Sequence, residues 1–311
     1  MSKILNLKQY DLVFTTSFEN NHGITGHIFE MIEYYTVCKR RGINAAIALL
    51  DGTTMELFSS ALYNKYDFTQ AEIDDIISNV TVLVHPHILM VKNLCIVDGA
   101  PSVRNCVIYA DNVFLLRCWD GPLDFFSESK SIKQTHLLQD FSMYTERYEH
   151  LNIKVVDYTK KLLWNRYKRP APVKTGTAMF YMMNRCKARP AEEIAGYIAK
   201  HNFDHYLIIT DTPQRYQHLA SDKVSIEVAP VANLYEKFDT YIYTPVTKVD
   251  CSPRFMVECA AFGKDVIYEI DYIDPGILSR QRDIAKGVDT LLLKDDDAFI
   301  EYVNRYLWTT V

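Results

Sequence analysis

The segment from Phe238 to Asp271, FDTYIYTPVTKVDCSPRFMVECAAFGKDVIYEID, leaves the chain few ways to fold. Two β-rich runs, Thr240 to Thr244 and Asp265 to Ile270, bracket a helical stretch that starts at Ser252, carries Pro253 in its first turn and stops at Gly263. Proline is tolerated in a first turn because the N–H it lacks would be unbonded there, and glycine accepts the left-handed backbone that ends a helix. The segment is therefore an α/β unit. Arg254 and Glu258 stand four apart on one face of this otherwise apolar helix, where core packing alone would place Val, Leu or Ala. A carboxylate in that position points to a ligand.

The rest of the chain repeats the theme. Asp11 to Thr16 reads as a buried parallel strand, followed by a Gly-containing loop, an amphipathic run from Ile24 to Arg41 and a strand over Ala45 to Leu50. Further strands are expected at Val80 to Val84, Leu94 to Val97 and Cys106 to Tyr109, with a helical pattern over Gln70 to Ser78. Between Leu151 and Thr175, five Lys and two Arg face one Asp in a chain whose net charge is −5, and Pro170 and Pro172 break regular structure as a linker would. The pattern then restarts with strands at Ala178 to Met183, Tyr206 to Thr210 and Val224 to Val228, and helices at Ala191 to His201 and Ala232 to Lys237. The expected fold is α/β, two Rossmann-like doubly wound domains facing a cleft. Their expected spans are 1–169 and 170–296, with the closing helical segment 297–311 able to pack back on the first. Open α/β sheets bind ligands outside the carboxyl ends of their strands.

At 311 residues, 48% hydrophobic and 23% charged, the chain has material for a core in each domain and is neither disordered nor fibrous. No apolar run approaches the length of a membrane span and the start lacks a signal-peptide core, so the expected location is the cytoplasm. Seven Cys are scattered without CxxC pairs, which argues against a zinc site or a disulfide framework.

Several residues carry chemical content. Arg185 and Arg189, with Lys187 between them, follow the first strand of the second half and precede a helix. Guanidinium forks and free backbone N–H groups converging there suit a diphosphate, and the alternative is a solvated basic loop. Glu258 could accept two ribose hydroxyls or pair with Arg254 on the helix surface. The loop ENNHGITGH places His22, Gly23 and Thr25 between the first strand and its helix, without GxGxxG or Walker spacing. Its glycine lets a ligand approach the backbone, and His22 could act as a base or as a cap partner. Asp111 follows the apolar run CVIYA, where it is a turn or cap residue or a general base for an acceptor hydroxyl. Lys160, Lys161, Arg166, Lys168 and Arg169, interleaved with Trp164 and Tyr167, are either a solvated linker or a surface that contacts phosphates and stacks on an extruded base.

In order and spacing over most of the chain, these residues resemble the GT-B type of nucleotide-sugar glycosyltransferase, and more narrowly the bacteriophage enzymes that glycosylate 5-hydroxymethylcytosine in DNA. The resemblance implies a UDP-sugar donor, UDP-glucose or UDP-arabinose, and an acceptor in double-stranded DNA within an infected bacterial cell. It implies that Arg185 and Arg189 bind the donor diphosphate, that Arg254 and Glu258 bind the rest of the nucleotide with Glu258 on the ribose, and that Asp111 in VIYAD is the catalytic base. Residues 23 to 25, Gly-Ile-Thr, are similar to a Gly-Val-Thr in one branch of that family. A Mg2+ or Mn2+ ion could assist the departing UDP, although no DxD pair at a strand end marks a built-in metal site. The family's enzymes are often basic, and this chain is acidic.

Overall fold

In the computed structural model of the chain, the described residues are 3–16, 26–50, 55–83, 86–97, 106–116, 126, 129–139, 152–158, 161–171, 175–183, 188–229, 233–244, 246, 254–269 and 291–307. The chain divides into two compact units, residues 1–168 together with 291–311, and residues 169–290. In chain order the first unit opens with β1 (Ile4–Asn6), β2 (Leu12–Thr16), α1 (Gly26–Arg40), β3 (Ala45–Leu49), α2 (Met55–Lys65) and α3 (Gln70–Ser78). It continues with β4 (Val80–Val82), β5 (Ile88–Met90), β6 (Asn93–Val97), β7 (Val107–Leu116), β8 (Ile132–Gln139) and β9 (Ile153–Asp157). The second unit holds β10 (Thr177–Met182), α4 (Ala191–Lys200), β11 (His205–Thr210), β12 (Val224–Val228), β13 (Thr240–Tyr243), α5 (Arg254–Ala261) and β14 (Asp265–Tyr268). The chain then returns to the first unit with α6 (Ala298–Leu307).

Both sheets are parallel throughout. In the first unit β4-β3-β2-β6-β7-β8-β9 run side by side. The short β1 and β5 extend the sheet along the early part of β7, where Ile88 pairs with Val107 in the same register that pairs Asn93 with Asn112. In the second unit the order is β12-β11-β10-β13-β14. Both orders reverse their direction of growth beside the first strand, between β2 and β6 and between β10 and β13, so each sheet has a topological switch point. Burial on both faces explains the unbroken apolar runs: every residue of β2, β3 and β6 is buried. Helix α5 ends as its sequence predicts, with Gly263 at φ 68° and Lys264 N–H bonded to the Cys259 carbonyl. Helix α3 carries a reciprocal cap, Thr69 accepting from Glu72 N–H while the Glu72 carboxylate accepts from Thr69 N–H. Among the described residues, no helix is long and apolar enough to cross a membrane.

Three sequence expectations are corrected. The strand expected to close at Tyr109 runs on to Leu116. The helix expected over Ala232 to Lys237 is, in its described part, a single 3-10 turn at Leu234–Glu236 after Asn233 at φ 51°. The stretch expected to be a linker from Val155 onward contains most of β9 and a strap packed on the first unit, because Leu162, Leu163 and Tyr167 are buried among its charges.

A buried polar chain crosses the first sheet and reaches α6. His136 on β8 is wholly buried, with Nδ1 2.8 Å from the Tyr302 hydroxyl and Nε2 3.1 Å from Asn112 Oδ1. Asn112 Nδ2 donates to Asn93 Oδ1 at 2.8 Å, and Asn93 Nδ2 donates to the Asp11 carbonyl at 2.8 Å. The Asn112 oxygen can only accept, so His136 Nε2 carries the proton and Nδ1 accepts from Tyr302. Burial, with the Lys154 charge added, lowers the His136 pKa to about 4. The unfolded chain, with an ordinary imidazole near pH ~6.5, binds this proton first as the pH falls. The stabilisation is therefore complete above pH ~6.5 and is lost progressively toward pH ~4, on the order of 3 kcal/mol in all. Urea unfolding measured across that window should show this slope, and His136→Gln should flatten it; an unchanged slope assigns the titration elsewhere.

Candidate nucleotide site at the second switch point

The second sheet fixes Arg189 at its carboxyl edge. Its guanidinium, in a residue 8% exposed, donates through Nε to the carbonyl of Thr244, directly after β13, at 3.3 Å. Nη1 reaches Glu193 Oε2, one turn into α4, at 2.7 Å, and the Arg189 carbonyl accepts from the buried Tyr216 hydroxyl at 2.7 Å. A cation tied to its own helix and to the end of β13 spans the two strands of the switch point. Arg185 lies outside the described residues.

Helix α5 leaves the same strand end. Arg254, in its first turn, donates through Nε to Glu258 Oε1 at 2.7 Å, and the Tyr235 hydroxyl donates to Glu258 Oε2. Of the two sequence readings for Glu258, the ion pair with Arg254 is present, but it is not on the helix surface: the side chains are 9% and 3% exposed. Burial, with the Glu258 charge beside it, pushes the Tyr235 phenol well above its ordinary range, so Tyr235 remains a donor. Aromatic rings hold the helix in place. Phe255 stacks on Tyr181 of β10 at 4.8 Å and on Tyr235 at 5.6 Å, and meets Tyr241 of β13 edge-on at 5.0 Å. Sequence spacing gave no sign of Tyr235 or Tyr216, since each joins the site through a 3-10 segment with no periodicity to read.

The expectation for Asp111 is not met. It lies inside β7, between the residues that pair with β5 and those that pair with β6, its N–H bonded to the Lys92 carbonyl just ahead of β6. Five residues separate it from the strand's carboxyl end at Leu116, a distance of about 16 Å at ~3.3 Å per residue. Its half-exposed carboxylate pairs with Lys133 Nζ at 2.8 Å. The run CVIYA ended in an acidic residue but not in a strand end. Residues 117–125, and His22, Gly23, Thr25 and Lys160, lie outside the described residues.

The basic strap is largely committed to the first unit. Lys161 Nζ lies 2.6 Å from Asp297 Oδ2, and Asp297 also accepts from the Tyr158 hydroxyl at 2.7 Å and from Phe299 N–H at 2.8 Å, capping α6. Arg166 Nη2 reaches both oxygens of Glu72, at 2.8 and 2.7 Å, over the ring of Phe68. Tyr167, expected to be available for stacking on a base, is buried and donates to Glu33 Oε1 at 2.6 Å. The same carboxylate accepts from the Tyr66 hydroxyl at 2.7 Å and, through Oε2, from Leu163 N–H at 3.1 Å. Trp164 is half-buried, while Lys168 and Arg169 are exposed, with Lys168 Nζ on the Tyr63 carbonyl and Arg169 over the Phe262 ring. Among the described residues, no group of three or more His, Cys, Asp or Glu gathers as a metal site.

No family model matches the chain, and no curated protein matches it. Solved structures do. The chain is similar to a pneumococcal O-GlcNAc transferase, GtfA, solved with UDP and GlcNAc, at 7% identity and TM-score 0.47, covering 96% of this chain and 95% of that one. It is similar to the lipopolysaccharide outer core galactosyltransferase WaaB at 11% identity and TM-score 0.48, covering 96% and 99%. It is also similar to Anabaena HepE, solved with UDP-glucose, at 10% identity and TM-score 0.49, covering 95% and 98%. At such identities and TM-scores the likeness assigns no function, and the functional reading rests on the chain's own sheets and side chains.

Glu258→Ala should destabilise the second unit by about 3–5 kcal/mol, because it strands the buried Arg254 guanidinium. Arg254→Met combined with Glu258→Met should recover most of that loss in thermal unfolding. A single variant as stable as the wild type would show that the pair is not buried in solution.

Proposed function

We propose that the chain is a UDP-sugar-dependent glycosyltransferase of the GT-B type, moving a sugar, glucose or arabinose, to an acceptor hydroxyl. The observation that carries this reading is the second switch point, where a fixed Arg189 and the start of α5 follow the two strands that flank the crevice. Ligands of open α/β sheets bind there. Arg189, and Arg185 by the family resemblance, would neutralise charge growing on the departing diphosphate, where it matters most to the barrier. Glu258, held between Tyr235 and Arg254, is assigned to the ribose by the resemblance, where a carboxylate accepts from a hydroxyl. Gly23 and Thr25 are assigned to donor binding by the resemblance. With Asp111 five residues short of the carboxyl end of β7, we assign the base for the acceptor proton to His22.

The acceptor implied by the resemblance is 5-hydroxymethylcytosine in DNA. The internal pairing of Lys161 and Arg166 favours a second reading, a hydroxyl on a polysaccharide or small molecule. Mass spectrometry of 5-hydroxymethylcytosine DNA incubated with the protein and a panel of UDP-sugars decides between them. A hexose or pentose added to the base supports the DNA acceptor. UDP release on other hydroxyl compounds alone supports the second reading, and no UDP release from any donor sinks the transferase assignment. If DNA is the acceptor, retention of DNA should fall with salt, and Lys168→Glu with Arg169→Glu should weaken it further.

A further inference from the structure

Thr244, the residue after β13, is 3% exposed, and among the described residues its hydroxyl has no hydrogen-bond partner. Leaving a buried hydroxyl unbonded is unfavourable, and Val would fill the same volume on a strand end without that cost. On the neighbouring elements, Thr210 Oγ1 lies 3.3 Å from Thr212 Oγ1, and the Tyr216 hydroxyl donates to the Arg189 carbonyl. The same Thr244 presents its carbonyl to Arg189 Nε at 3.3 Å, so the residue lies against a fixed guanidinium. That guanidinium pairs with Glu193, whose side chain is 44% exposed against 10% for the arginine. The glutamate is the solvated member of the pair, and it can give way to a competing anion while the arginine stays in place.

We infer that Thr244 is a ligand-contacting residue whose hydroxyl donates to a phosphate oxygen of the nucleoside diphosphate held by Arg189. The inference rests on the nucleotide-binding reading above and adds to it a residue that no motif marks. A hydroxyl can donate one hydrogen bond to an anionic oxygen, and beside a guanidinium the acceptor it meets is an anion. In the ligand-free chain Glu193 occupies the cation, and the incoming phosphate takes its place while the idle hydroxyl gains a partner.

The test is calorimetric titration of the full chain with UDP and with uridine, for the wild type, Thr244→Val and Thr244→Ser. Thr244→Val should bind UDP about ten-fold more weakly or worse, the effect of losing a hydrogen bond to a charged group, while its binding of uridine and its unfolding temperature without ligand do not fall. Thr244→Ser keeps the hydroxyl and should bind UDP nearly as the wild type does. Unchanged UDP binding by Thr244→Val overturns the inference alone, as does an equal loss for UDP and uridine. A wild-type chain that binds no UDP overturns the nucleotide reading and the inference with it.

Discussion

Parallel strands cannot be joined by tight turns, and that constraint shapes this molecule throughout. Each pair of neighbouring parallel strands needs a crossover that passes over one face of the sheet, so both faces are covered and the strands read as apolar runs. Crossovers of one hand leave the carboxyl ends of all strands along a single edge. Helix starts collect at that edge with their unbonded N–H groups. Arg189, Thr244 and the first turn of α5 occupy it in the second unit because the strand order reverses between β10 and β13.

How much of this was legible in the sequence varies with the physics behind each signal. Strands buried on both faces announce themselves, and β2, β3, β11 and β13 lie where unbroken apolar runs place them. The stop of α5 was legible because Gly263 acts locally, while the expected start at Ser252 and Pro253 lies outside the described residues. Asp111 was misplaced because a strand end is a property of pairing: β7 pairs first with β5 and then with β6, and an exposed Asp between the two partners does not interrupt it. Tyr235 and Tyr216 were invisible because their roles depend on contacts across the fold. The burial of the strap was half visible, in Leu162, Leu163 and Tyr167, but the six cations from Lys160 to Lys174 dominated the composition.

The charges buried in the two units do different work. Glu33 gathers two tyrosine hydroxyls and a backbone N–H, joining α1 to the strap with its hydrogen-bonding capacity engaged on both oxygens. Such a carboxylate specifies one arrangement of its neighbours. Glu258 is also paired on both oxygens, yet one partner is an arginine at the start of a helix that follows the carboxyl end of β13. The surroundings differ more than the pairing does, and edge position separates the structural carboxylate from the candidate binding one.

Helix α6 belongs to the first unit although it closes the chain, and the segment leading into it pairs with the strap, Leu162 N–H on the Leu291 carbonyl at 2.8 Å and Leu293 N–H on the Leu162 carbonyl at 2.9 Å. The second unit is therefore an insertion in the first. During synthesis the usual order of amino-terminal first is inverted: the second unit is continuous and can complete its core as soon as it emerges. The first must wait, with Lys161 and Tyr158 lacking Asp297 and His136 lacking Tyr302, until α6 leaves the ribosome. Until then its longest-exposed apolar surface is the face that α6 will cover, so a chain interrupted ahead of α6 should be a client for chaperones rather than a slightly shortened native fold.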